Sequence, residues 1–263
     1  MSIKKFNSIL IISFLGVLTY AQDTMEYKKR NFISAEDTLS YRILYPKNFD
    51  EQASYPLILF LHGAGERGSD NKKQLTHGST LFSNKENESD YPAIVIFPQC
   101  PSNDYWAKVV VDRSTHPLGL SFQYENGPTR PMELVMALVE DFKKKNYVRK
   151  DQIYLMGLSM GGMGTYELLS RKPDTFAAAI AICGAGDPST VKKYAQKTPL
   201  WAFHGAQDNV VDPKYSLEMV AALLKEGAFP KMTMYDYADH NSWDSAFSEP
   251  ALLEWLFSHR LEK

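Results

Sequence analysis

The sequence of 263 residues lacks a marked excess of charge of either sign, with 29 basic and 31 acidic side chains and a net charge of -2. Proteins that attract nucleic acid or anionic lipid over a distance carry a strong positive excess. The balance therefore argues against nucleic acid as a partner. Hydrophobic residues make up 44% of the chain, which suffices for the core of a globular domain and argues against general disorder.

Residue types that bind metal ions are few and scattered. The six histidines and two cysteines show no spacing typical of a zinc site or another metal site. We therefore predict no metal and no cofactor. The sequence also contains no internal repeat and no low-complexity tract.

No apolar run near the amino terminus reaches the roughly 20 residues that a membrane-spanning helix needs. The run over residues 9–18 follows two lysines and precedes Thr19-Tyr20-Ala21, which ends in a small residue. This pattern is typical of a cleaved secretory signal. A membrane anchor is the alternative, but the run is too short, and no cysteine is present near the cleavage site to carry a lipid. We expect a signal peptide over residues 1–21, one catalytic domain over 22–263, and a periplasmic or secreted protein without a stable membrane anchor.

Short apolar runs alternate with helix-compatible stretches from residue 57 onward. The apolar runs have the length of strands buried on both faces, and they are Leu57–Leu61, Ala93–Phe97, Ile153–Met156, Ala178–Ile182, Leu200–Phe203 and Met232–Tyr235. The helix candidates are Met132–Lys145, Met160–Ser170, Pro213–Glu226 and Glu249–Leu261. This alternation predicts an α/β fold, with a mostly parallel central sheet and helices on both of its faces.

Two segments depart from that alternation. Residues Met25–Ser34 and Thr38–Tyr45 alternate polar and apolar side chains, which predicts an antiparallel hairpin at the edge of the sheet. The segment Pro101–Arg130 is polar, rich in aromatic residues and proline, and without a clear period. A loop of that length in a compact domain is usually functional.

The strongest functional signal is Gly157-Leu158-Ser159-Met160-Gly161, which lies between a predicted strand and a predicted helix. A serine at such a sharp turn is held with strained backbone angles, and flanking glycines lack side chains that would collide there. The turn exposes the Ser159 hydroxyl beside the positive end of the helix, which favours developing negative charge. We therefore predict that Ser159 is a nucleophile.

A second glycine-rich segment follows the first predicted buried strand, at His62-Gly63-Ala64-Gly65-Glu66-Arg67-Gly68. A backbone N–H at this strand end can join the amide of Met160 in holding the oxyanion of a tetrahedral intermediate. Ala64 is the predicted second donor and Gly65 the next choice. His62 is expected to pack or hydrogen-bond under the loop, whereas Glu66 and Arg67 either bond to nearby backbone or form a solvated pair.

A serine hydroxyl needs a general base, and the base needs a carboxylate that fixes its tautomer. In the strand-turn-helix context the chain order is serine, acid, histidine, which leaves His240 and His259. His240 follows the last predicted strand, whereas His259 lies in an amphipathic terminal segment and is expected at the surface. We predict His240 as the base. His204 precedes the predicted acid and is interpreted as structural.

Four aspartates are candidates for the acid. Asp208 lies in the turn after the penultimate strand, from which a carboxylate can reach the base, and we predict that it is the acid. Asp187 follows the preceding strand and is the main alternative. Asp212 is better placed to cap the helix that begins near Pro213. Asp239 is adjacent to the base and is expected to point away.

Four motifs in this order resemble the α/β-hydrolase superfamily over about Pro56 to His259. They are HGAGERG at 62–68, GLSMGG at 157–162, HGAQDNVV at 204–211 and HNSWDSAF at 240–247. Together they look like compact secreted esterases, including feruloyl and acetylxylan esterases, polyhydroxybutyrate-depolymerase-like proteins and predicted peptidases. The resemblance implies a triad of Ser159, Asp208 and His240, with Ala64 and Met160 as oxyanion donors.

The resemblance also has consequences for the cysteines and for the site. The strands that end in Cys100 and Cys183 would be separated by two others, beyond the reach of a disulfide, so two free buried thiols are expected. No long insertion follows Ile182, where many lipases carry a cap, which implies a shallow, accessible site. Aromatic side chains can line such a site and stack on an acyl group or a sugar, and the candidates are Tyr105, Trp106 and Trp243, for which core packing is the alternative.

Three functions are compatible with these residues. The first is a serine-dependent carboxylic ester hydrolase that acts on acyl groups esterified to carbohydrate, with a small-molecule or polysaccharide-linked ester as substrate. The second is a serine peptidase, because the same triad cleaves amides. The third is a non-catalytic binding protein, against which the intact triad argues.

Overall fold

The structure is a computed structural model, and it describes residues 26–35 and 37–261. The predicted signal peptide lies outside the described residues. Eight strands form the main sheet, in the order β1-β2-β4-β3-β7-β8-β9-β10. Their bounds are β1 Lys28–Ser34, β2 Asp37–Leu44, β3 Tyr55–Leu61, β4 Ile94–Pro98, β7 Val148–Leu158, β8 Ala178–Ile182, β9 Leu200–Gly205 and β10 Lys231–Tyr235.

Strand directions confirm the predicted α/β fold. Six neighbouring strands of the sheet pair in parallel, namely β4, β3, β7, β8, β9 and β10. Strand β2 pairs antiparallel with β4. Strands β1 and β2 form the predicted antiparallel hairpin at the sheet edge. Because parallel strands carry their carboxyl ends to one edge of the sheet, the segments that follow β3, β7, β9 and β10 meet there.

Seven α-helices cover the two faces of the sheet in the described part of the chain. Their bounds are α1 Ser79–Ser83, α2 Lys85–Asp90, α3 Arg130–Lys143, α4 Met160–Arg171, α5 Lys214–Lys225, α6 Trp243–Phe247 and α7 Leu252–Ser258. Alternate residues of β3 enter two separate cores. Leu57, Leu59 and Leu61 pack with α3, α4 and α5, whereas Ile58 and Phe60 pack with α1, α6 and α7.

Two helical regions differ from the prediction. The helix expected over 249–261 begins only at Leu252, after Pro250, and a separate short helix, α6, precedes it. Proline restricts the conformation of the residue before it and is unfavourable inside a helix. The short helices α1 and α2 were not expected, because their sequence has too few apolar positions to give a helical period.

The segment Pro101–Arg130 contains a small antiparallel hairpin, formed by β5 Val109–Asp112 and β6 Gly119–Phe122. The sequence shows no period of two in β5 because the exposed position, Val110, is a valine like its two partly buried neighbours. The hairpin packs with Met163 of α4, and Leu118 N donates a hydrogen bond to Val210 O at 2.9 Å. It stands over the edge of the sheet where the β3, β7 and β9 segments meet. The hairpin therefore forms a wall on one side of this edge of the sheet.

The two cysteines confirm the topological argument. Cys100 follows β4 and Cys183 follows β8, and β3 and β7 lie between these strands. Both thiols are free and buried. Among the residues that the structure describes, no helix is both long enough and apolar enough to cross a bilayer.

Candidate active site

Ser159 occupies the turn between β7 and α4 in a conformation that non-glycine residues rarely adopt. Its φ is 52° and its ψ is -117°. Such a backbone costs on the order of 1–3 kcal/mol and persists only where the surroundings enforce it. The Ser159 N–H donates to Ile182 O at 2.8 Å, so the neighbouring strand β8 fixes the turn.

The flanking glycines are required by close backbone contacts. A β-carbon on Gly157 would lie 2.2 Å from Gly161 O, and one on Gly161 would lie 1.9 Å from Leu61 O. Neither distance is compatible with a side chain. The two glycines therefore allow the turn to close against both α4 and the end of β3, as the sequence predicted.

Three predicted residues form a hydrogen-bonded chain at this turn. Ser159 Oγ lies 3.0 Å from His240 Nε2, and His240 Nδ1 lies 2.7 Å from Asp208 Oδ2. A carboxylate only accepts, so the bonding partners assign the proton to Nδ1 and leave the Nε2 lone pair for the serine hydroxyl. This is the arrangement in which an imidazole can take the serine proton.

The Asp208 carboxylate is fully enclosed and fully hydrogen-bonded. Its Oδ1 accepts from the amides of Val210 and Val211 at 2.8 and 3.0 Å, and its Oδ2 accepts from the His240 ring and from His204. Burial by itself raises the Asp208 pKa, but the hydrogen bonds from the two histidines outweigh it, and the pKa lies well below its usual range. Asp208 is therefore ionised throughout the neutral range.

The other candidate acids have separate partners. Asp187 accepts from Ser189 N at the start of a short 3-10 helix. Asp212 accepts from Lys214 N at the start of α5, as predicted, and Asp239 accepts from Asn241 N. Only Asp208, among these four, is hydrogen-bonded to His240.

In the described residues one group of possible metal ligands lies close together, and it consists of Cys183, Asp208 and His240. Two of its members, Asp208 and His240, are hydrogen-bonded to each other in the series that begins at Ser159.

The residues of the two predicted oxyanion donors line the same cavity as Ser159. Met160 begins α4 and Ala64 begins a short 3-10 helix, so neither N–H has an acceptor within its own helix. Gly63 approaches Ser159 so closely that a β-carbon on it would lie 3.7 Å from the Ser159 Cβ. Ala64, Gly65 and Met160 all line the cavity. Two helix-start amides beside a hydroxyl can stabilise an oxyanion.

His62 lies under this loop, as predicted. Its side chain is buried, with Nδ1 at 2.6 Å from Gly63 O and Nε2 accepting from Cys100 N at 3.0 Å. Burial lowers its pKa to about 4. His62 is therefore a neutral support of the Gly63 backbone.

The two charged residues of the same loop have different partners. Arg67 donates to the backbone oxygen of Ala64 at 2.9 Å, whereas Glu66 lies 3.8 Å from His77.

The cavity above Ser159 has a volume of about 260 Å³. Tyr105 and Trp243 line it, as predicted for substrate-contacting residues. Trp243 packs edge-on against the His240 ring, with centroids 5.4 Å apart. Trp106 does not line it, which corrects the prediction for that residue. Its indole is fully buried against α4 and donates to His62 O at 3.0 Å, so it cannot stack on a substrate.

Several cavity residues were not predicted from the sequence. They are mostly aliphatic and come from the hairpin, from α4 and from the loop after β9, and they are Val111, Leu118, Leu120, Met163, Val210 and Val211, with His77 and Arg113 at polar positions. Only the unusual length of the Pro101–Arg130 segment pointed to this wall. The individual positions gave no signal because their contacts depend on how the segment folds back.

Comparisons with known proteins agree on the family. A model of the phospholipase/carboxylesterase family matches residues 49–249. A bifunctional acetylxylan esterase/xylanase of Neocallimastix patriciarum is 26% identical over 157 residues, which cover 60% of this chain and 20% of the relative. The chain thus spans about a fifth of that relative.

Solved structures show the same architecture. A thermostable esterase superposes with a TM-score of 0.79 at 32% identity, and the match covers 89% of this chain and 63% of the other. A ferulic acid esterase of Anaeromyces mucronatus, solved with ferulic acid, superposes with a TM-score of 0.63 at 18% identity, covering 88% of this chain and 92% of the other. The latter identity supports a shared fold.

Proposed function

Because the chain belongs to the phospholipase/carboxylesterase family, we propose that it is a carboxylic ester hydrolase that uses Ser159 as its nucleophile. The observation that carries the proposal is the hydrogen-bonded chain from Ser159 Oγ through His240 to Asp208, with separations of 3.0 and 2.7 Å. The hydrogen-bonded series starts at a serine held with positive φ, close to Ala64 and Met160 at the starts of their helices. That combination serves acyl transfer.

The reaction begins when Ser159 Oγ attacks the ester carbonyl carbon and its proton moves to His240 Nε2. The carbonyl π electrons move to oxygen, and the amides of Ala64 and Met160 stabilise that oxyanion. Because these amides are fixed before the reaction, they need no reorganisation as charge develops. When the intermediate collapses, His240 Nε2 returns its proton to the leaving alcohol oxygen, and the acyl group remains on Ser159.

Water then completes the cycle in the same site. His240 Nε2 accepts a proton from the water while the water oxygen attacks the acyl carbon. The second tetrahedral intermediate releases the carboxylic acid, and the proton on Nε2 returns to Ser159 Oγ. Asp208 keeps its negative charge throughout and stabilises the imidazolium that forms in each half of the cycle.

We propose acyl groups esterified to carbohydrate, of acetyl or feruloyl type, as the substrate. Aliphatic side chains make up much of the cavity wall, and Tyr105 and Trp243 add aromatic surface. Aromatic side chains of this kind stack on sugar rings and on aromatic acids. The name of the acetylxylan esterase relative supports the same class. Export through the predicted signal peptide would bring residues 22–263, as one catalytic domain, to the periplasm or the medium, where such polymers occur.

The experiment has two parts. First, a fluorophosphonate probe is expected to label the folded wild type and Ser248→Ala, which changes an exposed serine, but not Ser159→Ala. Second, hydrolysis of methyl ferulate, acetylated xylan, aryl acetates and peptide amides is measured. Faster turnover of the first two supports the proposed substrate class. Turnover of the amides alone would contradict it, and absence of labelling would contradict the nucleophile.

A further inference from the structure

A second histidine shares the carboxylate of Asp208. His204 lies at the end of β9 and is fully buried. Its Nε2 is 3.1 Å from Asp208 Oδ2 and 2.9 Å from Val211 O. Its Nδ1 is 2.7 Å from Ser216 Oγ on α5. Every polar atom of the ring therefore has a partner, and one of these partners is the proposed catalytic acid.

The partners assign the proton on Nε2. Both groups that face Nε2, a carboxylate oxygen and a carbonyl oxygen, can only accept hydrogen bonds. The ring nitrogen must therefore donate, in either charge state of the imidazole. On the other side of the ring, Ser216 Oγ also lies 3.0 Å from Gly184 O, so the serine links His204 to the loop after β8.

We propose that His204 is a positioning residue, which holds the Asp208 carboxylate in the orientation that His240 needs. The inference rests on the proposed function, in which Asp208 and His240 act on Ser159. The two amides of Val210 and Val211 hold only Oδ1. His204 is the donor, other than His240 itself, that fixes Oδ2, and its own orientation is fixed by Ser216 and Val211.

The surroundings favour this role over a purely structural one. Asp208 Oδ2 receives two imidazole N–H groups, and the side chains of Asp208 and His204 are fully buried, where a charge-assisted hydrogen bond is stronger than at the surface. The nearby ionisable groups are His240 and Cys183, and burial raises the pKa of the Cys183 thiol, so it stays neutral. Without His204 the carboxylate would keep its negative charge but lose a constraint on rotation about its Cβ–Cγ bond.

The test compares two substitutions of His204 with two others. Leucine in His204→Leu cannot donate, whereas glutamine in His204→Gln can place an amide N–H near the position of Nε2. Ser216→Ala removes the partner of Nδ1 and leaves Asp208 untouched. Thr198→Val is the control, because it removes a buried hydrogen bond to Phe176 O in a region that does not line the cavity.

The readouts are kcat and KM for an aryl acetate, the free energy of unfolding, and the far-downfield proton resonance of the His240–Asp208 hydrogen bond. For His204→Leu we expect kcat to fall about 10-fold to 100-fold with little change in KM, and the resonance to broaden or shift. His204→Gln is expected to recover much of kcat, and Ser216→Ala to show a smaller loss. Thr198→Val is expected to lose stability while kcat and the resonance stay unchanged.

The inference is overturned if His204→Leu or Ser216→Ala loses only stability, with kcat and the resonance as in wild type. Should His204→Leu fail to fold, His204→Gln and Ser216→Ala decide the question by the same readouts. The resonance does not depend on turnover. A wild-type protein that hydrolyses no ester would therefore contradict the proposed function, while the resonance would still test the contact between His204 and Asp208.

Discussion

The turn that carries Ser159 and the segment Pro101–Arg130 border the same cavity but are held in different ways. The turn lies between a buried strand and a buried helix, and its backbone is in van der Waals contact with its neighbours at Gly157 and Gly161. The segment is joined to the rest of the molecule by Trp106, by a small apolar cluster that includes Met163, and by scattered hydrogen bonds, including one from Lys108 N to Glu167. Ser159 thus lies between tightly packed elements, and part of the wall that meets the substrate lies on a surface segment.

This difference has a consequence for how each region responds to substitution. Chemistry requires positions accurate to a fraction of an ångström, which packed strands and helices provide. Loops that contact the substrate tolerate substitution, because they can vary on a rigid scaffold without unfolding it. We therefore expect changes at the turn to alter rate strongly, and changes in the hairpin to alter preference.

The largest expected effect is on the rate. Ser159→Ala is expected to lower kcat for an aryl ester by about 10⁶-fold, because removing the nucleophile disables the whole triad. Its free energy of unfolding should stay close to that of the wild type, since alanine removes one hydroxyl. Stopped and continuous ester assays measure the first quantity and urea denaturation the second. Residual activity equal to that of Ser248→Ala would show that another residue is the nucleophile.

The next effect separates the two tryptophans. Trp106→Ala is expected to lower the free energy of unfolding by about 3–5 kcal/mol, because it empties a fully buried site. Trp243→Ala, at a half-buried position on the cavity wall, should cost less stability and raise KM for an aromatic ester. Chemical denaturation and steady-state kinetics on both variants provide the test. Equal losses of stability would contradict the assignment of Trp106 to the core and Trp243 to the cavity.

Two buried carboxylates should give the two regions opposite pH dependence. The Asp208 pKa is lowered in the folded state, so between its folded and unfolded values the unfolded chain binds more protons, and stability falls as the pH falls. The Glu167 pKa is raised, mainly by burial, so between its unfolded and folded values stability falls as the pH rises. Glu167 fastens the base of the hairpin through Lys108 N.

Denaturation of the wild type, Asp208→Asn and Glu167→Gln between acid and neutral pH tests this pair. Asp208→Asn should gain less stability than the wild type as the pH rises from strongly acid values. Glu167→Gln should gain more over the range above the ordinary pKa of glutamate, about 4.3. Identical slopes for the three proteins would show that neither carboxylate differs between its folded and unfolded states.

The smallest effect concerns the hairpin wall, where two adjacent valines provide a matched pair. Val111 lines the cavity, whereas Val110 is 53% exposed on the opposite face of β5. Val111→Ala is expected to lower kcat/KM for a feruloyl ester about 10-fold and to leave kcat/KM for an acetyl ester nearly unchanged, because apolar contacts are lost only with the longer acyl group. Val110→Ala should leave both unchanged. A similar change in both variants would argue against contact between the hairpin and the acyl group.

The sheet could be predicted from the sequence because its strands are short apolar runs with distinct boundaries. The order of serine, acid and histidine followed from the strand-turn-helix context of Ser159, and Asp208 followed from its place after β9. The strands, the order of the three residues and the position of Asp208 can all be recognised from short stretches of sequence. The bounds of α4 and α5 also followed, because both helices are long enough to give a regular period.

The hairpin, Trp106 and the second partner of Asp208 could not be predicted in the same way. Val111 and Leu120 line the cavity only because their segment folds back over the sheet edge, a contact that the local sequence does not record. Trp106 and Trp243 both lie in segments without a clear apolar period, and only burial in the folded state distinguishes them. His204 was interpreted as structural, and its contact with Asp208 depends on the turn that brings the two together.

The most direct test of the central claim is to isolate the acyl-enzyme. Rapid mixing of the protein with 4-nitrophenyl acetate, followed by acid quenching and peptide mapping, should give a burst of nitrophenol close to the enzyme concentration and an acetyl group on Ser159. A burst with the acetyl group on another residue, or hydrolysis by Ser159→Ala at the wild-type rate, would contradict the account.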